Sequence, residues 1–142
     1  MSDTTARDLS AHRLDKAREL LEQADVLFQH GSYDGSINRS YYAIFNAIRT
    51  LLAFLRLDSR RHSGVISFFD RYFVKTGIFE KTSSQIVHTA FEVRQVSDYE
   101  DFFLPTENEA KQQLEQASTF IEQVAVVREK LLDGTIALPS TQ

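Results

Sequence analysis

The feature that most constrains the fold of this chain is a run of apolar side chains at helical spacing near its centre. Between residues 34 and 56 they recur at steps of three and four: Ile37, Tyr41, Ile44, Phe45, Ile48, Leu51, Leu52 and Leu55. This spacing puts them on one broad face of an α-helix. Because this is the most hydrophobic segment of the chain, we expect its helix to lie at the centre of the fold.

Four more helices are predicted, and no convincing strand. The five predicted helices cover about residues 8–30, 34–56, 65–74, 82–98 and 106–134. Gly31 follows the first as a C-terminal stop, the cluster 82–84 offers N-caps for the fourth, and Thr106 to Glu109 has the pattern of a capping box. Five helices joined by short connections predict an all-α fold, an antiparallel up-and-down bundle of four to five helices.

Length and composition place limits on the domain and its surroundings. The 142 residues suit one domain spanning 1–142, with an ordered core of about 8–132 and a frayed tail at 135–142. The chain has no cysteine, a polar N-terminus and no apolar run approaching the ~20 residues of a membrane span. We therefore expect a cytoplasmic protein that does not contact a membrane.

The sequence offers no pattern typical of a metal or cofactor site. His12, His30 and His88 have no partner at metal-ligand spacing, and there is neither a P-loop nor a GxGxxG motif. We predict no metal and no cofactor. The net charge of −4 also argues against a protein that coats DNA generally, although a local basic patch is compatible with it.

The stretch VRQVSDYEDFF, at residues 93–103, carries an arginine on an apolar stripe. Val87, Phe91, Arg94 and Asp98 follow one another at helical steps, so Arg94 continues the inward face of the fourth helix. A buried guanidinium needs a partner or a ligand. Asp98 can pair with it, and Tyr99 adds a hydroxyl and a stacking face. The arrangement is either an ion pair at the edge of the core or a pocket for a phosphate or a base.

Two polar residues one turn apart on the second helix, Asn38 and Tyr42, are further candidates. A hydrogen bond between them within the core is the simpler interpretation. If the second and fourth helices are neighbours, either residue could meet Arg94.

The two ends of the third helix supply the remaining candidates. Arg61 and His62 form a cationic start, where an anion would be favoured by the helix N-terminus. The simpler interpretation of this start is structural, with Ser63 as the cap. Lys75 is a candidate for a phosphate contact, although a cation also suits an ordinary helix C-terminus.

Three segments in this order, NRSYYAIFNAIRTLL, HSGVISFFDRYFVKTG and FEVRQVSDYEDF, resemble the HEPN domain (higher eukaryotes and prokaryotes nucleotide-binding). The resemblance is strongest to its small stand-alone prokaryotic branch and covers about residues 8–130. It implies a bundle of four to five helices and a homodimer. It also implies a partnership with a minimal nucleotidyltransferase, as in toxin–antitoxin pairs.

Many active members of this family are metal-independent RNases that use an arginine followed, after four to six residues, by a histidine. Arg94 matches the arginine, but Tyr99, Glu100 and Asp101 occupy the three positions open to the histidine. Arg56 and His62 have the required spacing, yet they bracket the turn between the second and third predicted helices. The family's RNase motif is therefore incomplete at Arg94.

Three hypotheses follow. The first is a HEPN-type protein that binds a nucleotide or RNA around Arg94, Asp98 and Tyr99, as one component of a module with a nucleotidyltransferase. The second is a metal-independent RNase toxin that combines Arg94 with Asp98, Tyr99 or His62. The third is a non-enzymatic dimeric interaction module that docks a partner or itself through residues 102–104.

Overall fold

The computed structural model describes residues 3–99, 101 and 103–142. The described residues form five α-helices and no strand, which confirms the predicted all-α fold. The helices are α1 (Asp3–Gln29), α2 (Tyr33–Leu55), α3 (His62–Phe69), α4 (Lys81–Tyr99) and α5 (Glu107–Leu132). A π-helical turn, Asp70–Val74, continues α3. No helix in this described part of the chain is long and apolar enough to cross a membrane.

Side-chain contacts show that neighbouring helices run antiparallel. Ser36 donates to the carbonyl of Ala24 and Arg13 donates to the carbonyl of Arg49, so α2 returns along α1. Gly31, in the left-handed region at φ 78°, ends α1 at the turn between them. The central position predicted for α2 is confirmed, because α2 packs against each of the other four helices.

A cluster of phenylalanine rings forms the part of the core between α3 and α5. Phe69 packs on Phe73, Phe79 and Phe120, with ring centroids 5.2 to 6.4 Å apart, and all four side chains are buried. These contacts join α3, the π-helical turn and α5. They fix the position of α3, whose first residue lies beside α2.

The starts of α1, α4 and α3 differ from the predictions. α1 begins at Asp3 instead of about residue 8; in the added turn Ala6 is buried and the carbonyl of Arg7 accepts a hydrogen bond from Arg128 of α5. α4 begins at Lys81, so the predicted caps at residues 82–84 lie inside the helix, where Ser83 donates to Gln123 and Ser84 to Asp70. The predicted capping box at Thr106 and Glu109 is confirmed.

Ser63 is not the cap of α3. The helix begins at His62 instead of about residue 65. Its N-cap, Arg61, makes no side-chain capping hydrogen bond. The imidazole of His62 is held from outside the helix by a hydrogen bond to α2. This contact fixes the start of α3 without a cap from its own side chains.

Candidate functional site

Arg94 lies at the centre of a cluster formed by α2 and α4. Its side chain is only 13% exposed, as expected for a residue on the inward stripe of α4. Nη2 donates to the hydroxyl of Tyr42 across 3.0 Å. Nε lies 2.9 Å from Asp98 Oδ2, but its N–H does not point at that oxygen, so the contact is an ion pair without an aligned hydrogen bond.

Three tyrosine rings surround the guanidinium of Arg94. Its Cζ atom lies 5.3 Å from the ring centroids of Tyr41 and Tyr42 and 5.8 Å from that of Tyr99. These distances are within the range of cation–π attraction, which strengthens when the cation is removed from water. The Tyr99 ring is 72% exposed, so the cluster opens to solvent on that side.

His62 reaches the same cluster from the start of α3. Its Nδ1 lies 2.7 Å from the hydroxyl of Tyr41, and its ring stacks on the Tyr41 ring at 5.7 Å. The histidine ring also packs on Phe45, at 4.3 Å between centroids. The structure thus brings His62 to Arg94 through a shared tyrosine, although 32 positions separate them in the sequence.

Burial and charge in the cluster favour neutral forms of two side chains. Burial lowers the pKa of His62 from its ordinary value of 6.5, and the positive charge of Arg94 lowers it further. Burial also raises the pKa of Tyr41, and Arg94 opposes that shift only in part. At neutral pH the cluster therefore holds an uncharged imidazole, an uncharged phenol and a guanidinium.

Asn38 joins the cluster on its other flank. The predicted hydrogen bond between Asn38 and Tyr42 does not form, because each side chain turns to α4 or to a neighbour. Asn38 Nδ2 lies 3.4 Å from Asp98 Oδ2, and its Oδ1 accepts a hydrogen bond from Arg39. The structure thus places Asn38, Tyr42, Arg94, Asp98 and Tyr99 in one group.

Two other predicted site residues are placed differently. Arg61 is exposed and directly precedes His62, so it borders the cluster. Lys75 is also exposed, but it follows the π-helical turn at the far end of α3. Thirteen residues of helix separate it from His62, a distance of about 20 Å. The structure does not bring Lys75 to Arg94.

Sequence reasoning missed Tyr41 as a site residue. It was assigned to the apolar stripe of α2, and it is buried there at 1% exposure. A buried tyrosine hydroxyl ordinarily finds a hydrogen-bond partner. That rule signals that a polar group must meet Tyr41, but the partner, His62, lies beyond a loop whose path sequence spacing does not reveal.

The described residues contain no group of three or more His, Cys, Asp or Glu side chains that could hold a metal ion. The cluster contains the partly exposed guanidinium of Arg94, the neutral imidazole of His62 and several tyrosine hydroxyls. A guanidinium surrounded by rings is suited to a phosphate oxygen, and an imidazole near neutrality is suited to proton transfer.

Comparison with known proteins identifies the family of this chain. The family model of the HEPN domain matches residues 10–130. A Methanocaldococcus jannaschii protein named "Putative toxin MJ0605" is 33% identical over 116 residues, which cover 82% of this chain and 86% of that protein. A Thermotoga maritima "UPF0332 protein" is 33% identical over 118 residues, covering 83% and 86%.

A second Methanocaldococcus jannaschii protein, named "Putative toxin MJ0142", is 26% identical over 123 residues, which cover 85% of this chain and 84% of that protein. The family-model match reaches all five helices and includes the segments that carry His62 and Arg94. The chain belongs to the HEPN domain family.

Proposed function

We propose that this chain is a toxin-like HEPN protein that binds the phosphate of a nucleotide or of RNA at Arg94. The observation that carries the proposal is the setting of Arg94: a guanidinium that is 13% exposed and lies among three tyrosine rings. Its Nε donor has no aligned hydrogen bond within the described residues. Because Nε is buried against Asp98, a phosphate oxygen would reach the terminal Nη groups of the guanidinium and add a charge-assisted bond there.

Substitution of Arg94 by lysine tests this binding site. Lysine keeps the charge but lacks the planar fork, so we expect the affinity for adenosine monophosphate to fall about tenfold. Isothermal titration measures the affinity. Arg71→Lys is the matched control, because Arg71 is exposed and contacts only the ring of Tyr72 among the described residues. Equal affinities in the wild type and Arg94→Lys would rule out the pocket.

The names of the two Methanocaldococcus relatives support a toxin-like role. Expression of the wild type in a bacterial host is expected to arrest growth, and Arg94→Ala is expected to relieve the arrest. We further propose a minimal nucleotidyltransferase as the partner, which the family resemblance implies. Co-expression with a nucleotidyltransferase encoded beside this chain should restore growth, and the two proteins should purify together. Unimpaired growth on wild-type expression would contradict the toxin-like role.

A second candidate, metal-independent RNA cleavage, is favoured by the position of His62. In this proposal His62 takes the place of the histidine that the motif at Arg94 lacks. The imidazole accepts the proton of a ribose 2′-hydroxyl, and the 2′-oxygen attacks the neighbouring phosphorus. The bond from phosphorus to the 5′-oxygen breaks, and the imidazolium returns its proton to that oxygen. The products are a cyclic phosphate and a 5′-hydroxyl. Arg94 stabilises the charge that builds up on the phosphate oxygens.

Cleavage of a fluorescent RNA in the presence of a chelator tests this candidate. We expect His62→Gln to lower the rate by about 10²–10⁴, the range typical of losing a positioned acid–base group. Arg71→Gln serves again as the control. Intact RNA with the wild-type protein, or full activity in His62→Gln, would contradict cleavage by this route.

A third proposal concerns self-association through the link between α4 and α5. Phe102, one of its predicted contact residues, lies outside the described residues. Leu104 is 86% exposed, and Phe103 is partly exposed beside it. Such apolar exposure favours an interface. A dimer measured by light scattering should dissociate in Phe103→Glu or Leu104→Glu, and a wild-type monomer at micromolar concentration would contradict the proposal.

A further inference from the structure

Arg13 and Arg49 form a pair of arginines beside the Arg94 cluster. Arg49 Nη2 on α2 is 3.0 Å from Asp58 Oδ2, and Arg13 Nη2 on α1 is 3.5 Å from the same oxygen. Arg13 also donates to the backbone carbonyl of Arg49 across 3.0 Å. Two cations from different helices therefore converge on a single carboxylate oxygen.

Positive charge is concentrated around this pair. The loop after α2, residues 56–61, reads RLDSRR and adds Arg56, Arg60 and Arg61. Together with Arg13 and Arg49 these make five arginines in or beside the loop that carries Asp58, in a chain whose net charge is −4. Like charges held close together oppose folding. Such a concentration therefore points to an anionic ligand.

The pair is connected to the Arg94 cluster by a continuous row of rings. The guanidinium of Arg49 lies 6.0 Å from the ring of Phe45, whose centroid is 4.3 Å from that of His62. His62 in turn meets the partly exposed ring of Tyr42 at 5.7 Å between centroids, and Arg94 lies on that ring. The two arginine sites are thus the ends of one surface track.

The pair is accessible to a ligand. The side chains of Asp58 and Arg49 are 48% and 29% exposed, whereas that of Arg13 is 11% exposed. A cavity of about 170 Å³ lies alongside, lined in part by Arg13, Arg56 and Asp58. The rest of its lining is apolar. An anion could therefore approach Arg49 from solvent, and the exposed side chain of Asp58 could turn away to admit it.

We propose that Arg13 and Arg49 form a second phosphate subsite, for the strand of single-stranded RNA whose other phosphate binds at Arg94. Asp58 holds the two guanidinium groups when RNA is absent, because a carboxylate and a phosphate offer the fork a similar pair of anionic oxygens. The proposal rests on the proposed nucleotide-binding function. It specifies that function further: the ligand is an oligonucleotide, and a mononucleotide occupies only the Arg94 end.

Two substitutions with opposite effects test the subsite. Arg49→Gln removes one fork, and Asp58→Asn removes the competing carboxylate while keeping its size. The probes are a fluorescein-labelled single-stranded RNA decamer, followed by anisotropy over a series of salt concentrations, and adenosine monophosphate, followed by titration calorimetry. Arg71→Gln, at the far end of α3, controls for the loss of one positive charge. Circular dichroism checks that each variant folds.

We expect Arg49→Gln to weaken decamer binding about tenfold, since a bond to a charged group is lost. It should also reduce the slope of log affinity against log salt by about 0.7, the value for one phosphate on a single strand. The affinity for the mononucleotide should not change. Asp58→Asn should strengthen decamer binding, an effect that a merely structural ion pair would not produce.

The outcomes separate this proposal from the one on which it rests. If Arg94→Lys weakens both probes but Arg49→Gln affects the decamer no more than Arg71→Gln does, the second subsite is wrong and the Arg94 site stands. If the wild type binds neither probe, both proposals are overturned. A decamer affinity that falls in Asp58→Asn, with the fold retained, would also overturn the subsite.

Discussion

The hydroxyl of Tyr41 and Nδ1 of His62 lie 2.7 Å apart, and this bond joins the buried face of α2 to the first residue of α3. Tyr41 is almost fully buried, so its hydroxyl would otherwise lack a partner. The bond also orients the imidazole, because a tyrosine on one ring nitrogen determines which nitrogen faces outward. One contact thus contributes both to the fold and to the candidate site.

Removal of the Tyr41 hydroxyl should destabilise the protein. Tyr41→Phe keeps the ring packing but breaks the bond to His62, so we expect a loss of about 0.5–1.5 kcal/mol in the free energy of unfolding. Urea denaturation measures it. Tyr72→Phe is the control, since Tyr72 is also buried but its hydroxyl makes no hydrogen bond within the described residues. Equal stability losses in the two variants would contradict a specific role for the bond.

The stability of the wild type should depend on pH through His62. Its pKa is lower in the folded protein than the ordinary 6.5, so the unfolded chain binds the proton more readily. The stabilising contribution of His62 is therefore complete above pH 6.5 and decreases as the pH falls towards the pKa of the folded state.

Comparison with His62→Gln isolates this effect, because the other three histidines are present in both proteins. Urea denaturation at about pH 7.5 and about pH 5 gives the difference in unfolding free energy between the wild type and the variant. We expect the wild type to lose its advantage at the lower pH. An advantage that stays constant or grows in acid would show that His62 is not held neutral by burial and Arg94.

Asp98→Asn distinguishes a ligand site from a structural ion pair. The substitution removes the charge opposite Arg94, whose side chain is 13% exposed, so the protein should lose about 1 kcal/mol of stability. If Arg94 binds phosphate, the affinity for adenosine monophosphate should nevertheless rise, because the competing carboxylate is gone. Calorimetry measures the affinity. A variant that is both less stable and weaker in binding would favour the structural interpretation.

The helices of this fold could be predicted from the sequence because apolar residues recur at helical spacing within each of them. The stripe of α2 and the capping box of α5 are local patterns, and both were located correctly. Contacts across the fold explain the misplaced starts. The added first turn of α1 buries Ala6 and contacts Arg128, 121 residues after Arg7 in the sequence. No local pattern carries that information.

In the candidate site too, contacts within one helix could be predicted and contacts between distant segments could not. Arg94 and Asp98 lie one turn apart on one helix, so helical spacing alone predicted their ion pair. From its neighbours in the sequence, His62 is predicted to begin a helix or to form an anion site with Arg61, and neither interpretation locates it beside Tyr41. Its partner Tyr41 lies 21 residues earlier, and the contact depends on how the loop at residues 56–61 folds back. The arginine pair around Asp58 depends on the same loop.

Gly64 controls the path of that loop, and its substitution should disturb the site. A Cβ atom at Gly64 would overlap the hydroxyl of Ser59 and lie 2.8 Å from the Ser59 Cβ, closer than real Cβ atoms pack. Gly64→Ala must therefore displace the loop that positions Arg61 and His62. We expect a stability loss of about 1–3 kcal/mol, the range typical of overpacking, and weaker nucleotide binding.

The double variant Gly64→Ala with Ser59→Gly provides the decisive comparison, because it removes both atoms that the new methyl would meet. Ser59→Gly alone controls for the loss of the serine, whose hydroxyl accepts a hydrogen bond from the backbone of Arg61. Relative to that control, the added alanine should cost little stability. If Gly64→Ala lowers the free energy of unfolding equally with glycine and with serine at position 59, close packing against Ser59 is not the reason for a glycine at position 64.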